Sequence, residues 1–288
     1  MKVINFGSLN IDYVYRVHDF ARPGETISAL SFSRFAGGKG LNQSIALARA
    51  GAQTLHAGVI GKDGIFLLDT LRESGIDCSS VMVDEHSPSG HAVIQVADSG
   101  ENEIVLFPGT NHNITHDAIQ QTLSRADASD ILLLQNEISA IPEIMREAAK
   151  RKMRIFFNPA PMTAAVLDYP LELADTLIVN ETEWDAIKEH RFSDGINVLR
   201  TMGADGAVYN ESIRVAAIRV DKVVDTTAAG DTFIGYFIAE LLRNQSIEIA
   251  MQTASLASGW CIQRAGAAAS IPWRHELNEY QNKTRKGN

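Results

Sequence analysis

The sequence predicts an α/β fold: a three-layer α/β/α sandwich around a mainly parallel central sheet, with a small second sheet projecting from it. Three observations carry this. Short apolar runs alternate with helix-like segments along most of the chain. One run, Ile131-Leu-Leu-Leu134, is apolar on consecutive positions, as a parallel strand covered on both faces requires. Two segments, Tyr13–Phe35 and Gly90–Phe107, break the alternation and read as pairs of short strands with no helix to cover them.

In chain order, Val3–Phe6 reads as a buried strand ending in the turn Gly7-Ser8, and Gln43–Ala50 as a helix. Thr54–Ile60 is a strand and Phe66–Ser74 a helix. In Gly90–Ala97, Asp98-Ser-Gly100 and Glu103–Phe107, strand residues flank a Ser-Gly turn, which is a hairpin signal. Ile131–Leu134, Ile155–Asn158, Thr176–Val179 and Ala207–Tyr209 continue the sheet, with a helix over Ile141–Lys152 between the first two. The polar tail Gln281–Asn288 is expected to fray. The whole chain, residues 1–288, is expected to form one domain, with the extra strands inserted at about 13–35 and 90–107.

The 288 residues carry a net charge of −9 and no run of Lys or Arg, which argues against a nucleic-acid partner. Two cysteines, Cys78 and Cys261, give neither a disulfide framework nor a metal spacing. The first strand is too short for a signal peptide, and no apolar stretch approaches a membrane span. The expectation is a soluble, cytoplasmic protein.

The stretch Asp225-Thr-Thr-Ala-Ala-Gly-Asp231 sets two carboxylates around a small-residue turn at a helix start. Such a start offers free N–H groups and partial positive charge to an anion. A carboxylate beside it is well placed to take a proton from an attacking hydroxyl. Gly37-Gly38-Lys39-Gly40-Leu41-Asn42-Gln43 opens an earlier helix. It suits close approach to a polar ligand, yet also reads as a plain turn, and it is not a Walker loop. Asn10 and Asp12 follow the first strand and suit hydroxyl binding or a turn. Asn180-Glu-Thr-Glu183 reads equally as a helix cap centred on Thr182 or as an oxygen environment for Mg²⁺ beside phosphates. Arg264 to Pro272 reads as an ordinary loop or as carbonyls around a monovalent cation.

Together and in this order, the two glycine-bearing signatures, with Asn158-Pro-Ala-Pro161 and Asn180-Glu-Thr-Glu183 between them, resemble the ribokinase family of carbohydrate kinases over nearly the whole chain. The resemblance implies ATP-dependent phosphorylation of a sugar hydroxyl, giving ATP, Mg²⁺ and a potassium-like ion as cofactors. By resemblance, Asp231 is the catalytic base, with Ala228, Ala229 and Gly230 presenting N–H groups to the phosphoryl. Asn10, Asp12, Gly38, Lys39, Asn42 and Glu137 look like sugar contacts. Asn180 and Glu183 match the phosphate environment, Glu183 meeting Mg²⁺ through water, and Thr201, Gly203 and Gly206 border the nucleotide. Asp225, Thr227, Cys261, Arg264, Gly266 and Ser270 match the loops around the monovalent ion. The projecting strands would be a lid that doubles as a homodimer surface.

Three departures stand out. The stretch from Glu183 to Met202 looks short, which thins the nucleotide wall. Asp205 puts an acid where a basic or small polar residue is common, and Ala228 replaces the first glycine of the turn. Asn10 beside Asp12 favours ribose over 2-deoxyribose, because unpaired polar groups penalise a missing hydroxyl. The alternatives are a kinase of 2-deoxyribose, a ketohexose or a nucleoside, and a sugar- or nucleotide-sensing protein without turnover.

Overall fold

The structure is a computed structural model that describes residues 1–189 and 195–279. The expected fraying tail lies outside the described residues, as does part of the short stretch after Glu183.

The elements run β1 (Val3–Phe6), β2 (Asn10–Arg16), β3 (Ser31–Gly37), α1 (Lys39–Arg49), β4 (Thr54–Gly61), α2 (Ile65–Glu73) and β5 (Asp77–Asp84). Then come β6 (Gly90–Val96), β7 (Asn102–Phe107), α3 (His116–Leu123), β8 (Ile131–Gln135), α4 (Ile141–Lys150), β9 (Arg154–Asn158) and β10 (Thr176–Asn180). The last are α5 (Glu181–Ile187), β11 (Asn197–Thr201), β12 (Ala207–Tyr209), β13 (Ile213–Val215), α6 (Ala229–Leu242) and α7 (Ile247–Cys261).

Nine strands form one sheet in the order β13-β12-β11-β10-β9-β8-β1-β4-β5, and all pairs are parallel except those that attach β12 and β13. The consecutive apolar run explains the layering. Ile131 and Leu133 face a core shared with α6 and α7, whereas Leu132 and Leu134 face the opposite core with α3 and α4. Phe156 and Ile178 repeat the first choice, and Phe157 and Leu177 the second. Each strand thus buries both faces, as a sheet between two helical layers must. Gly235 lets α6 press onto α1, since a Cβ there would meet Ala46 and the Leu47 N–H.

The second sheet has the order β3-β2-β6-β7. It is wider than the sequence predicts: β2 begins at Asn10 and β3 ends at Gly37, paired with each other, so the inserted segment starts three residues earlier than Tyr13. The extra pairs carry Asn10 and Asp12 on a strand rather than on a turn. The fourth helix ends at Lys150 because Lys152 turns into the left-handed region, at φ 60°. Helix α1 starts at Lys39, four residues before the predicted Gln43.

Candidate active site

Strand order reverses direction around β1, which pairs with β4 on one side and β8 on the other. A crevice outside the carboxyl ends of the strands follows from that reversal. Asn10 lies beyond β1, Glu137 beyond β8, Asn158 at the end of β9 and Asn180 at the end of β10. They line one cavity of about 440 Å³ together with Asp12, Lys39, Asn42, Glu183, Thr201 and the turn Thr226–Asp231. Strands β6 and β7 of the second sheet also line it, with Ala92, Ile94, Ile104 and Leu106.

Asp231 sits in the first turn of α6 and is buried. Both carboxylate oxygens are held: Oδ1 accepts from Gln43 Nε2 at 2.9 Å and Oδ2 from Asn42 Nδ2 at 3.1 Å. A carboxylate only accepts, so these bonds fix the amide orientations behind them. Gln43 therefore turns Oε1 to Gln135 Nε2, 2.6 Å away, and Gln135 also donates to Asn5 Oδ1. Asn5 Nδ2 ends on Gly40 O and Ser44 Oγ. Asn42 Oδ1 is left as a buried acceptor with no partner among the described residues.

The first i→i−4 bond of α6 runs from Thr232 N–H to Ala228 O, so the N–H groups of Gly230 and Asp231 precede it. The N–H of Ala229 is different: it donates to Thr226 O and is not available to a ligand. Nothing lies within 4 Å of a Cβ built on Gly230, which leaves room for an anion at the helix start. Ala228 takes the left-handed cap conformation, φ 61°, that a glycine would take more easily.

Charge in the cavity is strongly biased to acids. Burial pulls the Lys39 ammonium down, but Asp231, Glu137 and Glu183 together hold it above its ordinary range. Burial raises Glu137, against Lys39, the Ser8 hydroxyl and the Lys39 N–H. Glu183 is raised by burial as well, and Asp231 adds to it. Burial and then Glu137 push Asp12 up to about 6. Room for a cation or for neutral hydroxyl donors is therefore built in.

Where β10 meets α5, Asn180 and Glu183 form a reciprocal capping box. Glu183 N–H donates to Asn180 Oδ1 at 2.8 Å, and Asn180 N–H to Glu183 Oε2 at 2.9 Å. The cap is Asn180, not Thr182 as the sequence suggests. Thr201 joins the cavity, whereas Gly203 and Gly206 shape the turn between β11 and β12 outside its lining. Asp205 in that turn is exposed, so its charge meets water.

Asp225 Oδ1 accepts from Thr227 N–H and Oδ2 from Gly266 N–H, each at 2.9 Å, tying the loop before α6 to the loop after α7. Cys261 Sγ lies 3.0 Å from Ser270 Oγ and also points at Thr227 O. The Arg264 guanidinium turns away, onto Glu276 and the Trp260 ring. Of these six residues only Thr227 borders the cavity. Among the described residues no group of three His, Cys, Asp or Glu is arranged to hold a metal.

Gln43, Asn158, Gln135 and Asn111 join the hydrogen-bond network around the cavity, roles that no motif marks. The first two lie inside the quoted motifs. Gln135 and Asn111 have no local signal: Asn111 reaches Asn10 across 101 positions, donating Nδ2 to Asn10 Oδ1 at 2.7 Å.

A crevice with polar side chains on one wall, an anion-receptive helix start on another and a carboxylate between them suits an enzyme that transfers a phosphoryl group to a hydroxyl. The chain belongs to the pfkB family of carbohydrate kinases, whose description matches residues 1–274. It is 34% identical to a ribokinase of Haemophilus influenzae, covering 95% of this chain and 96% of that one. A solved ribokinase of Cryptococcus neoformans, in complex with ADP, superposes with a TM-score of 0.85 at 32% identity, over 97% of this chain and 99% of that one. The Arabidopsis thaliana ribokinase complexed with ribose and ATP gives a TM-score of 0.84 at 27% identity, over 96% and 97% of the two chains. Among the described residues, no helix is long and apolar enough to cross a membrane.

Proposed function

We propose that the chain transfers the γ-phosphoryl group of ATP to the primary hydroxyl of D-ribose, giving ribose 5-phosphate. One observation carries the reading: Asp231, at the start of α6, shares a cavity with Asn10 and Asp12 on one side and Asn180 and Glu183 on the other. The similarity to ribokinases, one of them solved with ribose and ATP, supports the choice of substrates.

In this reading Asp231 takes the proton of the attacking hydroxyl as the phosphoryl arrives. Gly230, rather than Ala229, donates its N–H to the developing charge, with Ala228 setting the turn. Asn10, Asp12, Gly38, Lys39, Asn42 and Glu137 hold the sugar, and the unpartnered Asn42 Oδ1 accepts from one of its hydroxyls. Asn180, Glu183, Thr201, Gly203 and Gly206 border ATP. The excess of carboxylates suits Mg²⁺, which Glu183 would meet through water and which supplies charge neutralisation to the phosphates. A monovalent ion of the potassium type fits the loops joined by Asp225. Asp225, Thr227, Cys261, Gly266 and Ser270 would surround it, and Arg264 would contribute only its backbone.

The outer face of the lid supports a homodimer. Tyr13, Tyr15, Phe32, His91 and Phe107 form a continuous series of ring contacts there, and Phe32 and Val105 are 54% and 68% exposed. We place the enzyme in the cytoplasm.

The test is ATP consumption with ribose, 2-deoxyribose, fructose and a nucleoside, with Asp231→Asn as control. Ribose is expected to give the highest kcat/KM, and the control to lose about 10²- to 10⁴-fold in kcat. Equal or better turnover of 2-deoxyribose transfers the assignment to that sugar. Wild-type rates in the control overturn the base.

A further inference from the structure

We propose that Asn111, seated by Gly90, is a positioning residue that selects the 2-hydroxyl of the sugar by fixing which end of the Asn10 amide meets it. The inference rests on the ribose reading and adds residues to it. Its logic is a chain of forced choices. The Leu9 N–H can only donate, and it donates to Asn111 Oδ1 at 2.9 Å. Asn111 must therefore turn Nδ2 the other way, where it meets Asn10 at 2.7 Å. Asn10 answers with Oδ1, and its own Nδ2 is left toward the cavity, with no partner among the described residues.

Asp12 lies two residues further along β2, on the same face, and lines the same cavity. The wall thus presents one amide donor and one carboxylate acceptor. A hydroxyl has one hydrogen and two lone pairs, so a single hydroxyl satisfies both at once. A sugar lacking it strands both. Were the Asn10 amide turned over, two acceptors would face one hydrogen, and the site would gain less from that hydroxyl.

Gly90 is the second part of the device. It stands opposite Asn10 in the β2–β6 register, and a Cβ there would overlap both Asn111 Nδ2 and Asn10 Oδ1. Only a glycine lets the two amides meet. Asn111 and Asn10 are both buried, so water cannot replace the bond cheaply.

The experiment measures kcat/KM for ribose and for 2-deoxyribose in the wild type, in Asn111→Asp and in Gly90→Ala. The first variant keeps an acceptor for the Leu9 N–H but presents an acceptor to Asn10, which turns its amide. The ribose to 2-deoxyribose ratio is expected to fall at least about tenfold in both, because a polar group of the site loses its pairing. In an Asn10→Leu background, Asn111→Asp is expected to change the ratio no further. The ratio is read within one preparation, so lost stability does not move it, and Gly90→Ala decides if Asn111→Asp does not fold. A wild type that turns over both sugars equally overturns the ribose reading and this inference with it. A wild type that prefers ribose, with both variants keeping its ratio, overturns the role of Asn111 alone.

Discussion

Replacing Gln43 with Glu probes how the base is held. The side chains are nearly the same size, so the backbone has no reason to move. The Gln43 nitrogen that becomes a carboxylate oxygen lies 2.9 Å from Asp231 Oδ1 and 3.2 Å from Asn158 Oδ1, both acceptors. Only the contact to Gln135 Nε2, on the other oxygen, still suits a carboxylate. Two carboxylates in contact share one proton, which is released only at higher pH than either would need alone. Lys39 favours the doubly ionised pair, while Glu137 and Glu183 oppose it. In its proposed role, Asp231 can accept the hydroxyl proton only when that shared proton is gone. Activity is therefore lost on the acid side and regained as pH rises. The variant should run about 100-fold slower than the wild type at neutral pH and recover part of that loss as pH rises. The assay is initial rate of ADP formation at saturating sugar and ATP between about pH 5 and 10. A profile lowered by one factor at every pH would mean structural damage. A profile superimposed on the wild type would mean that Gln43 does not touch the base. Either result refutes the reasoning.

Two further outcomes concern stability. His56 is fully buried between Ser44 Oγ and Gly7 O, and burial pushes it down to about 4. The unfolded chain takes up that proton first, so stability should fall as pH drops below about 6.5 toward 4, by about 2 kcal/mol at pH 5. A series of Tm values from pH 7 to 5 should show this, and His56→Asn should flatten it; an equally steep His56→Asn series would show that another group titrates. Gly40→Ala would drive a Cβ into the backbone of Gly7 and Ser8, separating α1 from the end of β1. A loss of about 1–3 kcal/mol in denaturant unfolding is expected, with sugar KM raised, and an unchanged midpoint would contradict the close approach.

Most of the parallel sheet was legible because a strand buried on both faces must be apolar at every position, as Ile131–Leu134 is. Strand β5 has no apolar signature because it lies at the sheet edge, where none of its residues is fully buried. Helices α3 and α7 begin at side-chain caps, Thr115 and Ser246, that resemble ordinary loop residues. In the site, the residues on helix starts and strand ends were visible from their motifs. What stayed hidden were contacts made by the fold alone: Asn111 on Asn10, Gln135 on Gln43, and the loss of the Ala229 N–H to Thr226. None has a sequence spacing that reports it. Asn180 as the cap shows a subtler limit, since either Asn180 or Thr182 satisfies the pattern and only the backbone decides.

Asn10 and Asp12 belong to β2, a strand of the lid sheet, while Asp231 belongs to the body. In the proposed assignment, the sheet that covers the sugar would also be the sheet that recognises it. On that assignment, a sugar engaging these two side chains would tie the cover down through its own hydroxyls, and one that does not would leave water beside Asp231. Misfit would then register as wasted encounters and slower turnover together, making the choice of acceptor and the shielding of the reaction one event rather than two.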